Sequence, residues 1–176
     1  EYLANFRDWM IPFPNSYIMA QSFRYYKRLN VRGVGTQMQF CCCGDLSEMK
    51  LYLHGKLAWN PDLDVEELIT TYCKANFGRG WQGVKEYIDL LEHARLRQRW
   101  TWYGCYVPDT SHFITDEDAV KMYRALQNAV RATAKDPVYG PRCRRAQTPG
   151  LGLAIWRYQD MLGPAARMKF KMPDSL

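Results

Sequence analysis

The stretch GVGTQMQFCCCGD, residues 33–45, gathers two amides, an aromatic residue, three consecutive thiols and a Gly-Asp. Thiols suggest metal or redox chemistry, and amides suggest a polar binding edge. A tetrahedral zinc site wants pairs spaced C-x-x-C, so that two thiolates converge on one ion. Cys41, Cys42 and Cys43 are adjacent, and neighbouring side chains tend to point apart. Cys73, Cys105 and Cys143 stand alone, and His54, His93 and His112 are scattered at no ligand spacing. No metal and no cofactor is therefore expected, and small buried thiols are the favoured reading. Cys43, just ahead of a helix start, comes nearest to an activated nucleophile, yet no basic group marks it, and packing is the stronger assignment.

The polar residues offer more. In parallel α/β architectures, side chains just past the carboxyl ends of strands line the ligand site. Gln37 and Gln39 follow one such end, and Glu1, Tyr2 and Asn5 sit at another. Amides and carboxylates there can exchange paired hydrogen bonds with vicinal hydroxyls, while Tyr2 or Trp9 could stack on a sugar face. The same residues can equally satisfy backbone groups of the loops that carry them.

Those positions depend on the elements around them. EYLANF and VRGVGTQ read as short strands flanking a helix over residues 16–29, with Tyr17/Ile18, Gln21, Tyr25 and Leu29 as its stripe and Asn15 or Ser16 as its cap. Pro12 to Pro14 forces an extended approach. Strand, helix, strand is a parallel crossover unit, and two strands do not make a stable sheet alone. The expectation is a larger α/β sheet upstream, with this chain a piece of a longer protein. From Asp45 onward every segment reads as helix. Asp45 with Glu48, Asp64 with Glu67 and Thr115 with Asp118 form capping-box patterns. They open helices whose stripes are Leu46, Met49, Leu53 and Leu57; then Leu68, Ile69, Tyr72 and Cys73; then Val120, Tyr123, Leu126 and Val130. Between the last two lies a helix from about Trp81 to Arg97, striped by Trp81, Val84, Ile88 and Leu91, with Gly78 placed for a left-handed helix end. Residues 98–114 form an aromatic-rich connection. A last helix runs from about Pro141 to Leu162, broken or kinked near Pro149-Gly150. The division is 1–60 for the βα units, 61–163 for a helical extension and 164–176 for a basic tail.

Composition agrees with an ordinary globular domain, with 47% hydrophobic and 24% charged residues. The formal charge of +6 is spread out until Arg142, Arg144, Arg145, Arg157, Arg167, Lys169 and Lys171. Nucleic-acid binding needs a clustered basic face, so solvated helix faces explain these charges better. No apolar run approaches the ~20 residues of a membrane span. Trp59, Trp81, Trp100, Trp102 and Trp156 are assigned to core or inter-helix packing. On that assignment Trp59→Ala costs ~3–5 kcal/mol.

The ordered segments EYLANFRDWMIPFPN, VRGVGTQMQ, DLSEMKLYLHGKLAWNPDLDVEELITTYCKANFG and VKEYIDLLEHA resemble the DUF4838 family of bacterial glycoside hydrolase-like proteins, which includes glycoside hydrolase family 163. YLHGKLAWNPDLDVEELI carries the closest likeness, and the match spans roughly residues 1–95. The resemblance implies a mainly α segment: the last βα units of a TIM-type (β/α)8 barrel followed by an α-helical extension. It implies action on glycans, endo-β-N-acetylglucosaminidase activity being known in the family, with the catalytic acids upstream and none in this segment. Glu1, Tyr2, Asn5, Trp9, Gln37 and Gln39 would then form a substrate-binding rim. The implied partners are a glycan and the upstream part of the same polypeptide, and the implied location is the periplasm or surface of a bacterium. Six cysteines fit a reducing compartment equally well. The family more often carries Asp at the position of Glu1, and a Glu-Gln-Gly-like turn near Gln37. The alternative from another class is a non-catalytic helical module that binds protein or carbohydrate.

Overall fold

A computed structural model describes residues 3–7, 9–38, 44–98, 105–106 and 111–156. Seven helices follow in order: α1 (Ser16–Arg28), α2 (Ser47–Trp59), α3 (Val65–Phe77), α4 (Trp81–Leu96), α5 (Asp116–Ala132), α6 (Tyr139–Ala146) and α7 (Thr148–Trp156), with a 3₁₀ turn at Gly78–Gly80. The protein is thus mainly helical. Neither expected strand forms among the described residues. Among the described residues, 31–36 join no ladder, and Gln37 makes a single bridge. A strand exists by its hydrogen-bonded neighbours, and Leu3 is a backbone partner of this segment, its N–H donating to the Gln37 carbonyl at 3.0 Å.

Helix boundaries follow the expected signals closely. Asp64 caps α3, its Oδ1 accepting from the Glu66 and Glu67 N–H groups. Thr115 and Asp118 make the reciprocal capping box of α5. Asn60 and Pro61 end α2. Gly78 has φ +50°, and the Tyr139 ring lies where a Cβ would sit, so both backbone and space demand glycine there. The last helix divides at Gln147 rather than at Pro149-Gly150. A proline in a first helical turn loses no hydrogen bond, so Pro149 helps start α7 instead of breaking it.

Helix faces differ more than boundaries. One core joins buried residues from Leu3 to Leu153. The α2 stripe of Met49, Leu53 and Leu57 points into it as expected. In α1, however, Met19, Ala20 and Phe23 are buried, while Tyr25 and Leu29 are half exposed. Phe23 meets the His54 ring edge-on at 5.0 Å between centroids, and Tyr25 lies outside beneath Arg28. In α5 the inward line is Ala119, Met122, Ala125, Leu126 and Ala129, one position round from the expected Val120, Tyr123 and Val130. The cause is α4. Gly83 lies so close to α5 that a Cβ would run into the Ala125 carbonyl oxygen and sit 3.0 Å from the Ala129 nitrogen. Only small side chains admit such an approach, so alanines take the inside and β-branched residues the flanks.

Two polar clusters fasten the layer. Lys85 pairs with Glu66 at 2.5 Å and Asp89 at 2.6 Å, and the Tyr17 hydroxyl donates to Glu66 and lies 3.3 Å from Asp89, tying α1, α3 and α4. Arg97 forks onto both Asp118 oxygens at the end of α4. Burial raises the Asp118 carboxyl, but the Arg97 and Thr115 bonds outweigh it and hold the pKa at about 2 against an ordinary 3.8. A folded-state pKa below the unfolded value contributes stability above pH 3.8 that is lost as the pH falls towards 2. Asp118→Ala is therefore expected to cost ~1–2 kcal/mol at neutral pH by removing the cap and the pair. Its deficit in thermal melts should shrink between pH 4 and pH 2, and a deficit independent of pH would assign the effect to packing.

Candidate functional site

The rim residues divide three ways. Glu1, Tyr2 and Gln39 lie outside the described residues, as do Cys41, Cys42, Cys43, Trp100 and Trp102. Gln37 is exposed, beside Leu3 through the bond described above. Trp9 is 43% exposed, with its backbone carbonyl accepting from the Asp45 N–H at 3.3 Å. Asn5 is fully buried, and its Oδ1 accepts from the Arg7 N–H at 2.8 Å. That bond is the loop-satisfying role that the residue type allowed from the outset. So the chain brings Leu3, Asn5 and Gln37 into one neighbourhood, with Gln37 open to solvent and Asn5 turned inward.

What holds this neighbourhood is a cluster absent from the sequence reading. Asp45 does not cap α2. The N-cap is Leu46, in the left-handed region at φ +48°, and no side chain caps the first turn. Asp45 instead turns into the core with Lys50, their side chains 3% and 2% exposed, joined at 2.9 Å. The Lys50 ammonium also donates to the Phe13 carbonyl at 2.8 Å and the Leu3 carbonyl at 3.2 Å, which uses its three protons. Asp45 accepts from the Phe13 N–H and the Tyr87 hydroxyl, each at 2.8 Å. Four segments meet at these atoms: the N-terminal stretch, the Pro12–Pro14 loop, α2 and α4. Burial pulls the Lys50 pKa below its ordinary value, against Asp45, which favours the charged form. Burial and the adjacent carboxylate push the Tyr87 phenol well above its ordinary value. A signal was present in the sequence: Lys50 falls on the Leu46, Leu53 and Leu57 face of α2, where a solvated lysine would not be placed.

Cys73 and Cys143 are buried, inert thiols. Cys73 is buried in the core, which pushes its thiol up to about 12. Cys143 is buried 3.8 Å from the Phe77 carbonyl oxygen, and its thiol is likewise raised by burial. A thiolate, the reactive form, is disfavoured at both. Among the described residues no group of three His, Cys, Asp or Glu side chains could hold a metal ion, and no helix is long and apolar enough to cross a membrane. Trp59, assigned to packing, is instead 92% exposed. It stands two residues beyond Leu57, about 200° around the helix from the core stripe. Its removal is not expected to create a cavity.

Comparison with known proteins gives one match. A family model described as "Domain of unknown function (DUF4838)" matches residues 1–89. No curated protein matches the chain, and no solved structure does.

The buried pair sets a stability test. Lys50→Met leaves the Asp45 carboxylate buried without its cation, and is expected to cost ~3–5 kcal/mol in urea denaturation. Adding Asp45→Asn should recover part of that loss, because the stranded charge disappears. A double variant no more stable than the single one would show that the ammonium matters for its carbonyl bonds alone.

Proposed function

The chain belongs to the DUF4838 family, and from that premise we propose that it forms the C-terminal portion of a bacterial glycan-cleaving glycoside hydrolase, endo-β-N-acetylglucosaminidase-like in its action. In this reading residues 1–60 close a TIM-type barrel and the later helices brace it. The catalytic acids lie upstream in the same polypeptide, and the rim of Glu1, Tyr2, Trp9, Gln37 and Gln39 faces the sugar, with Asn5 buried behind it. The observation that carries the reading is the Leu3–Gln37 hydrogen bond across α1. Two segments joined by a helix and lying side by side are the minimum of a βα crossover, and ligand-contacting side chains in such units follow the strand ends. Gln37 has the exposure and the chemistry for that position, an amide able to donate to and accept from a hydroxyl pair. Asn5 supports the rim by shaping its loop rather than by touching sugar.

A second reading, a helical interaction or carbohydrate-binding module, is favoured by one observation. The outer side of α2 presents Trp59 at 92% and Leu51 at 52% exposure. In the hydrolase reading this side packs against the upstream part of the polypeptide; in the module reading it binds the partner or stacks on a sugar.

Kinetics separate the two. In the full-length protein, Gln37→Ala is expected to lower kcat/KM for an N-glycan roughly tenfold, about 1.4 kcal/mol of transition-state stabilisation, with little change in Tm. Asn5→Ala should lower Tm as well as activity, since Asn5 is buried. Glycan binding without cleavage by the full-length protein would favour the module, and unaltered kinetics in Gln37→Ala would remove it from the rim.

A further inference from the structure

Whether Gln37 meets a sugar depends on which side of its segment faces outward. Burial alternates along residues 34–38: Val34 and Met38 pack against the core, Gly35 and Gln37 are exposed, and Thr36 is half-buried. Where successive side chains take opposite sides, a slip of one residue exchanges the sides. Such a slip turns Gln37 inward. Apolar contacts resist it weakly, because they are non-directional. The bond from the Leu3 N–H to the Gln37 carbonyl does not choose a residue, since every residue carries a carbonyl. A bond to a particular side chain does choose. The Thr36 hydroxyl is hydrogen-bonded to His54 Nε2 on α2, so this contact fixes the residue as well as the place.

We propose that His54 is a positioning residue for the glycan rim, its imidazole holding Thr36 so that the next side chain, Gln37, faces the sugar. This rests on the reading of Gln37 as a rim residue. The imidazole is itself well placed to hold. It is half-buried, and Phe23 of the core meets it edge-on at 5.0 Å between centroids. His54 also follows Lys50 by four residues, so the two share one side of α2. Lys50 donates to the Leu3 carbonyl at 3.2 Å. Adjacent turns of one helix therefore grip the two segments whose backbones meet at Leu3 and Gln37. A neutral imidazole has one donor and one acceptor nitrogen, and a hydroxyl offers both roles, so the pair is bonded in either tautomer. A glutamine amide at position 54 can make the same bond. A leucine there fills similar space and makes none.

Two measurements on the full-length protein test this: amide hydrogen exchange over residues 33–38, and N-glycan cleavage with kcat and KM resolved. His54→Leu is expected to speed exchange roughly fivefold, as one lost hydrogen bond loosens the segment. It should lower kcat/KM by a similar factor, and by no more than Gln37→Ala does. Thr36→Val, which removes the hydroxyl from the other side of the bond, should reproduce both effects should His54→Leu fold poorly. His54→Gln should restore both. In a Gln37→Ala background His54→Leu should cost no further activity, because the side chain it positions is gone. A merely structural role predicts the opposite, an equal loss in both backgrounds. Unaltered exchange in His54→Leu and Thr36→Val overturns the proposal, as does an equal loss in both backgrounds or no rescue by His54→Gln. Unaltered kinetics in Gln37→Ala overturns the rim instead, and the exchange rates then still decide whether His54 holds the segment.

Discussion

A charge pair sealed in the core constrains more of this molecule than any apolar contact does. An ammonium moved out of water loses hydration worth several kcal/mol, and the loss is tolerable only when every proton finds an acceptor. Lys50 finds three, and they come from three places in the chain: Asp45, Phe13 and Leu3. Apolar side chains tolerate sliding by an ångström or two, but a hydrogen bond weakens steeply with such a shift. The N-terminal stretch and the Pro12–Pro14 loop are therefore held to α2 at set positions, and Tyr87 extends the same constraint to α4. Replacing such a pair by matched apolar residues is often neutral in stability, so its contribution here is register. It decides where the irregular described residues ahead of α1 must lie.

Most of the helical punctuation was legible because capping is local chemistry. Asp64, Thr115 with Asp118, and Pro61 each act through atoms within four residues, and each does what its type implies. Asp45 broke the pattern for a reason that spacing does not reveal. Its carboxylate had a better offer from Lys50, Tyr87 and the Phe13 N–H, two of them far away in sequence. Faces were less legible than ends. Hydrophobic periodicity favours large side chains, so Tyr25 and Leu29 in α1 and Val120 in α5 looked like core. Yet helices that approach closely need small residues at the contact, and Ala20, Ala125 and Ala129 took those places. The glycine that permits the approach, Gly83, sits on the partner helix, beyond the reach of any pattern within α5.

The rim shows the same division. That Gln37 and the N-terminal stretch meet was legible, since strand–helix–strand connectivity returns the chain to its starting edge. That Asn5 turns inward was not, because an asparagine near a strand end serves a ligand or its own loop with the same atoms. Trp59 shows the converse. A large aromatic in a helical motif reads as core, but two residues past the buried stripe it has nowhere to go but out.

The helix α2 connects these pieces. Its inner stripe is core, its fourth residue is the buried ammonium, and its outer side carries Trp59. The Lys50 bond to the Leu3 carbonyl and the Leu3 N–H bond to the Gln37 carbonyl are consecutive links through one residue. The Thr36 hydroxyl meets His54, also on α2, so the Gln37 segment is held from both sides. In the proposed hydrolase the position of the sugar-facing amide is consequently set by a helix whose own register is set by a buried charge. An amide placed an ångström away from a hydroxyl pair loses most of its hydrogen bonding. A ladder of strands would ordinarily provide that precision. Here, among the described residues, the buried lysine provides it instead.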